Sequence, residues 1–264
     1  MQLKTDKMIA RKDGQVGWMI FNNPARHNAL SIEMQQAIPE ILGAFRDDDE
    51  VRVVVITGAG DRAFVSGADI SEFEDRRSSP ETIREFDRIG ARAFGAYREL
   101  GKPIIAMIRG FAMGGGLMTA MNADLRIASE DAQFGIPAAR LGLGYGFGGV
   151  KNLVDLVGPA FAREILLTGS RFSAADALRM GLVNRVVPAE RLEAETRELA
   201  ETIAANAPLT VRALRFCVEE ALKEKDERDY ALIEQLVAEC FASEDYVEGR
   251  RAFMEKRKPV FKGR

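Results

Sequence analysis

Three consecutive glycines, Gly114-Gly115-Gly116, stand between two apolar runs. The run before them is Lys102-Pro103-Ile104-Ile105-Ala106-Met107-Ile108, which predicts a buried strand, and the run after them is Leu117-Met118-Thr119-Ala120-Met121, which predicts a helix. Glycine lets another backbone or a ligand approach closely, and the first N–H groups of a helix have no acceptor within it. The segment is therefore predicted to bind an anion or a polarised carbonyl oxygen.

A second segment of the same character lies upstream. The run from Val51 to Thr57 predicts another buried strand, and Ala63-Phe64-Val65-Ser66-Gly67-Ala68-Asp69-Ile70 follows it. The first half of the chain thus alternates short strands with helices, which is typical of an α/β fold. One of these helices starts at Ser31, and Pro39 predicts a kink or a break in it.

The second half of the chain is predicted to be nearly all helical from about Gly148 onward. Ser173-x-x-Asp176 predicts a capped helix start. We expect a core domain over residues 1–200 and a helical lobe over residues 201–264. The last four predicted helices are 190–206, 208–225, 226–241 and 246–256.

The order and spacing of the motifs resemble those of the crotonase (enoyl-CoA hydratase/isomerase) superfamily. The resemblance implies a spiral core of ββα turns and a helical C-terminal lobe for trimerisation, in a homotrimer or a hexamer. It also implies an acyl-CoA substrate, with coenzyme A as part of the substrate and no separate cofactor. The matching segments are Asn23-Pro24-Ala25-Arg26-His27-Asn28-Ala29-Leu30, 66–70, 102–116, 124–129, Phe134-Gly135-Ile136-Pro137, 173–183 and 253–259.

The resemblance also assigns roles to individual positions. Ala68 and Gly115 take the positions whose backbone N–H groups form the oxyanion hole for the thioester oxygen. Phe253 and Lys256 match C-terminal residues that reach a neighbouring subunit's CoA. The other implied substrate and CoA positions are Arg26, His27, Ser66, Ile70, Gly114, Met118 and Ala138.

Two of these positions depart from the hydratase pattern. Hydratases of the superfamily carry one glutamate three residues after the central glycine and another directly after the Phe-Gly-x-Pro proline. Here these residues are Met118 and Ala138, and a further acid position of the superfamily is Gly146. None of the three can transfer a proton, which hydration requires.

Tyr145 is the remaining polar candidate near these positions. The surrounding pattern resembles that of methylmalonyl-CoA decarboxylases of the same superfamily, although those have a histidine at the position of Ala68. Two roles stay open for Tyr145. It either acts on the substrate, by orienting it or by donating a proton, or it only lines the pocket. Asp69, beside the turn, is expected to bond nearby backbone N–H groups rather than to catalyse.

Composition excludes several classes of protein. The 264 residues are 47% hydrophobic and carry a net charge of −3, which disfavours nucleic acid or an anionic membrane as a partner. The single histidine, His27, excludes a histidine-rich metal site, and the two cysteines indicate no disulfide framework. No apolar run approaches the roughly 18 residues of a membrane span, so we expect a cytoplasmic protein.

The sequence therefore predicts a lyase or isomerase of the enoyl-CoA hydratase family that stabilises an enolate. Two alternatives stay open at this point. The first is an acyl-CoA decarboxylase, because loss of carbon dioxide also produces an enolate. The second is an acyl-CoA-binding protein without catalytic activity. The residues do not identify the acyl group.

Overall fold

The computed structural model describes residues 3–69, 72 and 79–264. The chain divides into two compact units, Met1–Arg197 and Glu198–Arg264. The described strands all belong to the first unit. They are β1 (Met8–Asp13), β2 (Val16–Phe21), β3 (Val53–Gly58), β4 (Ala63–Val65), β5 (Ile104–Ile108), β6 (Phe111–Met113), β7 (Leu125–Ser129), β8 (Gln133–Gly135), β9 (Phe172–Ser173) and β10 (Arg185–Val187).

Helices follow the strands in the first unit and form all the regular structure described in the second. Across the part of the chain that the structure describes, no helix is long and apolar enough to span a membrane. The helices are α1 (Ile32–Asp47), α2 (Pro80–Glu99), α3 (Gly115–Met121), α4 (Ala138–Leu141), α5 (Phe147–Thr168), α6 (Ala174–Arg179), α7 (Leu192–Ala204), α8 (Pro208–Ala221), α9 (Tyr230–Ala242) and α10 (Glu244–Glu255).

The strands form two sheets. The larger sheet has the order β1-β2-β3-β5-β7-β10, and the smaller sheet has the order β4-β6-β8-β9. Pairing is parallel except between β1 and β2 and between β8 and β9. Three times in succession, one strand joins the larger sheet, the next joins the smaller sheet, and a helix follows. This confirms the α/β class and the predicted ββα spiral.

Burial explains why β3 is so strongly apolar. Residues Val53 to Ile56 are fully buried, as expected for a strand covered on both faces of a parallel sheet. The core around them also contains Trp18, Phe21 and Phe134. This buried framework holds the ends of the smaller sheet's strands in place.

Helix α1 begins where the sequence predicts, since the Ser31 side chain accepts the Met34 N–H. The helix continues through Pro39, so the predicted break is wrong. A proline inside a helix costs about 3 kcal/mol, but burying one large aliphatic side chain contributes roughly 1.5–3 kcal/mol. Ile38, Ile41 and Leu42 are all buried on the same helix, and their packing outweighs the lost hydrogen bond.

Buried carboxylates organise the second unit. Glu220, at the end of α8, accepts the Asp229 N–H at 2.8 Å and so fixes the start of α9. Asp245, in the first turn of α10, accepts the N–H groups of Lys262 and Gly263 at 2.7 and 2.8 Å. The C-terminal tail is thereby held against α10.

Candidate active site

The two predicted oxyanion-hole segments meet at one edge of the smaller sheet. Strands β4 and β6 are parallel neighbours, so the turns that follow them lie side by side. A Cβ atom built on Gly115 would lie 3.6 Å from the Ala68 nitrogen. Within the described residues, neither the Ala68 N–H nor the Gly115 N–H has a hydrogen-bond acceptor. The fold thus brings together two free N–H groups that are distant in sequence.

Glycines directly before these two residues set the direction of the N–H groups. Gly67 has a φ of +124° and Gly114 has a φ of +49°, conformations that residues with a side chain rarely adopt. Gly116 is required for a different reason, because a Cβ there would lie 1.9 Å from the Val65 carbonyl oxygen. Helix α3 can therefore approach β4 only with glycine at that position.

Backbone hydrogen bonds fix the Ala68 turn to the loop before α1. The Leu30 N–H donates to the Gly67 carbonyl at 2.7 Å, and the Asp69 N–H donates to the Leu30 carbonyl at 3.1 Å. The Ser66 N–H donates to the His27 carbonyl, also at 3.1 Å. The peptide groups on both sides of Ala68 are thus held by hydrogen bonds to Leu30.

Apolar side chains and one phenol occupy the neighbouring wall of the site. A Cβ atom built on Gly149 would lie 2.2 Å from the Met118 Cε and 3.8 Å from a ring carbon of Tyr145. Met118 of α3 therefore packs against the first turn of α5, next to Tyr145. Ala138 is buried, and its carbonyl accepts the Leu143 N–H at 3.0 Å. These side chains offer no carboxylate.

Tyr145 is half-buried in this wall. Burial raises the pKa of its phenol to about 12, so the group keeps its proton at neutral pH. Its hydroxyl has no hydrogen-bond partner within the described residues. Tyr145 can therefore donate a hydrogen bond to a bound molecule, and it is a poor general base.

Charged and polar groups lie at the outer edge of the Ala68 turn. Arg26 Nη1 is 3.5 Å from Asp69 Oδ1, and the Asp69 side chain is only 12% exposed. The Ser66 hydroxyl donates to the Arg26 carbonyl at 3.5 Å. This ion pair agrees with a structural role for Asp69.

The remaining predicted positions lie on other elements of the two units. The His27 ring stacks on Phe111 with 6.2 Å between ring centroids, beside an open cavity of about 340 Å³. Phe253 and Lys256 lie in the second unit, where Phe253 is 83% exposed and Lys256 ends α10 with a φ of +55°. Ile70 lies outside the described residues.

One residue of this region has no role in the sequence interpretation. Asn28 is fully buried, has a φ of +54°, and binds three backbone groups with its side chain. An asparagine directly before the apolar pair Ala29-Leu30 is the signal that could have identified it, because asparagine tolerates a left-handed conformation. Separately, no group of three or more His, Cys, Asp and Glu side chains among the described residues could hold a metal ion.

The fold and the site together define a class of protein. Two sheets joined by ββα turns make a scaffold of the crotonase type. The family model for enoyl-CoA hydratase/isomerase matches residues 11–264. The chain belongs to the enoyl-CoA hydratase/isomerase family, which acts on acyl-CoA.

Individual relatives agree with this assignment. A short-chain-enoyl-CoA hydratase from Clostridium acetobutylicum is 37% identical over 256 residues, covering 97% of each chain. A carnitinyl-CoA dehydratase from Proteus mirabilis is 39% identical over 258 residues, covering 95% of this chain and 96% of that protein. The crystal structure of an enoyl-CoA hydratase/carnithine racemase from Magnetospirillum magneticum has a TM-score of 0.92 and 32% identity, with 99% and 97% of the two chains covered.

Proposed function

We propose that this protein is an enzyme that holds an acyl-CoA thioester oxygen between the N–H groups of Ala68 and Gly115. The observation that supports the proposal is their proximity, together with the lack of an acceptor for either group among the described residues. Negative charge collects on this oxygen when the substrate becomes an enolate. Removing one such donor typically costs about 2.7–4 kcal/mol of transition-state stabilisation.

The side chains near the proposed oxyanion hole limit which reactions of an acyl-CoA the protein can catalyse. Met118 and Ala138 present no proton-transfer group, and the Tyr145 phenol holds its proton. The protein therefore favours reactions in which the enolate is stabilised mainly by the oxyanion hole, with at most one proton donated to the α-carbon. We propose that ordinary hydration of an enoyl thioester is not its main reaction.

Decarboxylation is the second candidate, and the protonated Tyr145 favours it. In this reaction the bond between the α-carbon and a β-carboxylate breaks, and its electron pair forms the enolate as carbon dioxide leaves. A proton from Tyr145 or water then adds to the α-carbon. No carboxylate base is required. An acyl-CoA-binding protein without activity is the third possibility.

A single experiment separates these possibilities. Purified protein is incubated in D₂O with a panel of CoA thioesters, with and without a carboxylate attached to the α-carbon. The masses of the products are then measured by mass spectrometry. We expect deuterium at the α-carbon of at least one thioester. Loss of carbon dioxide would identify the decarboxylase. Binding with neither change would refute the proposed enolate chemistry and leave an acyl-CoA binder.

We also propose that the substrate brings its own CoA and that no metal or nicotinamide takes part. Titration calorimetry should show binding heat for acetyl-CoA and crotonyl-CoA, because Ala68, Gly115 and Arg26 offer donors to a thioester and its phosphates. NAD should give only heat of dilution, since Gly144-x-Gly146-x-x-Gly149 follows a helix, α4, and not a strand. Tight binding of NAD with silent acyl-CoA titrations would overturn the proposal.

Self-association completes the proposed function. Leu214, Val218 and Leu222 are exposed at successive helical positions on and just after α8, and Phe253 and Met254 are exposed on α10. We propose that these surfaces serve a homotrimer or a hexamer, in which Phe253 and Lys256 reach a neighbour's CoA. Sedimentation should give a trimer or a hexamer, and a monomer that still binds CoA tightly would contradict this. The cytoplasmic location stays a prediction.

A further inference from the structure

We propose that Asn28 is a positioning residue for the Ala68 N–H group. The proposal rests on the proposed function, because it assigns Asn28 to the oxyanion hole described above. Asn28 does not reach the site itself. It acts through the backbone on either side of Ala68.

The side chain of Asn28 makes three hydrogen bonds to backbone groups and uses both of its N–H donors. Its Oδ1 accepts the Asn23 N–H at 2.9 Å. Its Nδ2 donates to the carbonyl oxygens of Ala59 and Ala63 at 2.9 and 2.8 Å. One buried amide therefore joins the loop before α1 to both ends of the turn between β3 and β4.

The backbone conformation near Asn28 leaves room for its side-chain amide. His27 and Asn28 both have left-handed φ values, +52° and +54°, which are uncommon for residues with a Cβ, although Asn and His adopt them more readily than most. A Cβ built on Gly58 would lie 2.6 Å from Asn28 Nδ2 and 2.3 Å from the Ala63 carbonyl oxygen. Only glycine at position 58 leaves room for the amide.

The connection from Asn28 to Ala68 runs along two routes. On one route, the Ala63 carbonyl fixes the start of β4, the strand that leads into the Ala68 turn. On the other, the left-handed pair places the His27 carbonyl to accept the Ser66 N–H and places Leu30 to bond Gly67 and Asp69. Both routes end on the peptide groups that flank Ala68.

Asn28 is therefore required to align the Ala68 N–H without contacting the substrate. An oxyanion hole works only when its donors are already aligned with the oxygen, and a misplacement of about 1 Å can reduce the rate on the order of a hundredfold. Asn28→Asp keeps the shape but sets an acceptor against the Ala59 and Ala63 carbonyls. Asn28→Gly keeps the left-handed backbone and removes all three side-chain bonds.

The test reads the polarisation of the thioester directly. Crotonyl-CoA labelled with ¹³C at the thioester carbonyl is bound to the unmodified protein, and the carbonyl stretching frequency is measured by difference infrared spectroscopy. We expect a clear downshift relative to free crotonyl-CoA. Asn28→Asp and Asn28→Gly should lose at least half of that downshift. With the thioester that the D₂O screen identifies, deuterium incorporation at the α-carbon should slow about tenfold or more, with CoA affinity nearly unchanged.

Thr57→Val is the matched control. The buried Thr57 hydroxyl donates to the Met107 carbonyl at 2.9 Å, so this variant also loses a buried side-chain bond to backbone, but in the larger sheet. Its downshift should match that of the unmodified protein even if its melting temperature falls.

The outcomes distinguish the two levels of the proposal. No downshift in the unmodified protein would refute the oxyanion hole, and with it the proposed function. A downshift that persists fully in both folded Asn28 variants would refute only the role of Asn28. If neither variant folds while Thr57→Val does, Asn28 is a determinant of the fold as a whole, and the positioning role is likewise overturned.

Discussion

Crotonyl-CoA should be hydrated by this protein several orders of magnitude more slowly than by a relative with glutamates at both proton-transfer positions. Hydration needs one group to take a proton from water and another to deliver a proton to the α-carbon. Each positioned group typically contributes about 10² to 10⁴-fold. Met118 and Ala138 supply neither, and Tyr145, with a pKa near 12, is a poor base. Steady-state loss of the enoyl absorbance measures the rate.

The double variant Met118→Glu with Ala138→Glu tests whether two carboxylates at these positions increase the rate of hydration. The Met118 side chain already extends to Gly149 and Tyr145, so a glutamate of similar length can follow the same path. Ala138 is buried, and a carboxylate there must displace its neighbours. We expect a partial gain in hydration, with Met118→Glu alone as the control for the first position. A hydration rate in the unmodified protein equal to that of two-glutamate relatives would show that another group transfers the protons.

Replacing Gly115 with proline should reduce any turnover by about a hundredfold or more. Proline removes the N–H that we assign to the thioester oxygen, and loss of one such donor typically costs 10² to 10³ in kcat. Gly115 is the first residue of α3, a position where helices tolerate proline well. The rate of α-proton exchange, measured with the best thioester from the D₂O screen, is the readout.

Glu244→Pro is a suitable control for this substitution. Glu244 is exposed and is the first residue of α10, so proline there removes the equivalent N–H in the second unit. This variant should keep its exchange rate, and both variants should keep cooperative thermal unfolding. A folded Gly115→Pro protein with an unchanged rate would remove Gly115 from the mechanism.

The elements of this fold follow from local features of the chain. The apolar β-branched run before Gly58 becomes the buried strand β3, and Ser173 and Asp176 cap α6 reciprocally as their spacing indicates. The motif resemblance also placed Ala68 and Gly115 together, and the structure places them side by side. The break predicted at Pro39 does not occur. The cost of the proline is local, whereas the side chains of α1 are buried by packing against other elements, and this burial outweighs that cost.

The local sequence pattern does not indicate how far apart the helices and strands lie in the folded protein. The proximity of Ala68 and Gly115 depends on the pairing of β4 with β6 and on the close approach of Gly116 to Val65. That Met118 and Tyr145 both lie near Gly149 depends on how closely α3 approaches α5. The three backbone partners of Asn28 come from the loop before α1 and from the two ends of the turn between β3 and β4, so the local sequence could not indicate that they meet. A sequence specifies which groups are available, but hydrogen bonding and close packing between distant segments determine which of them meet.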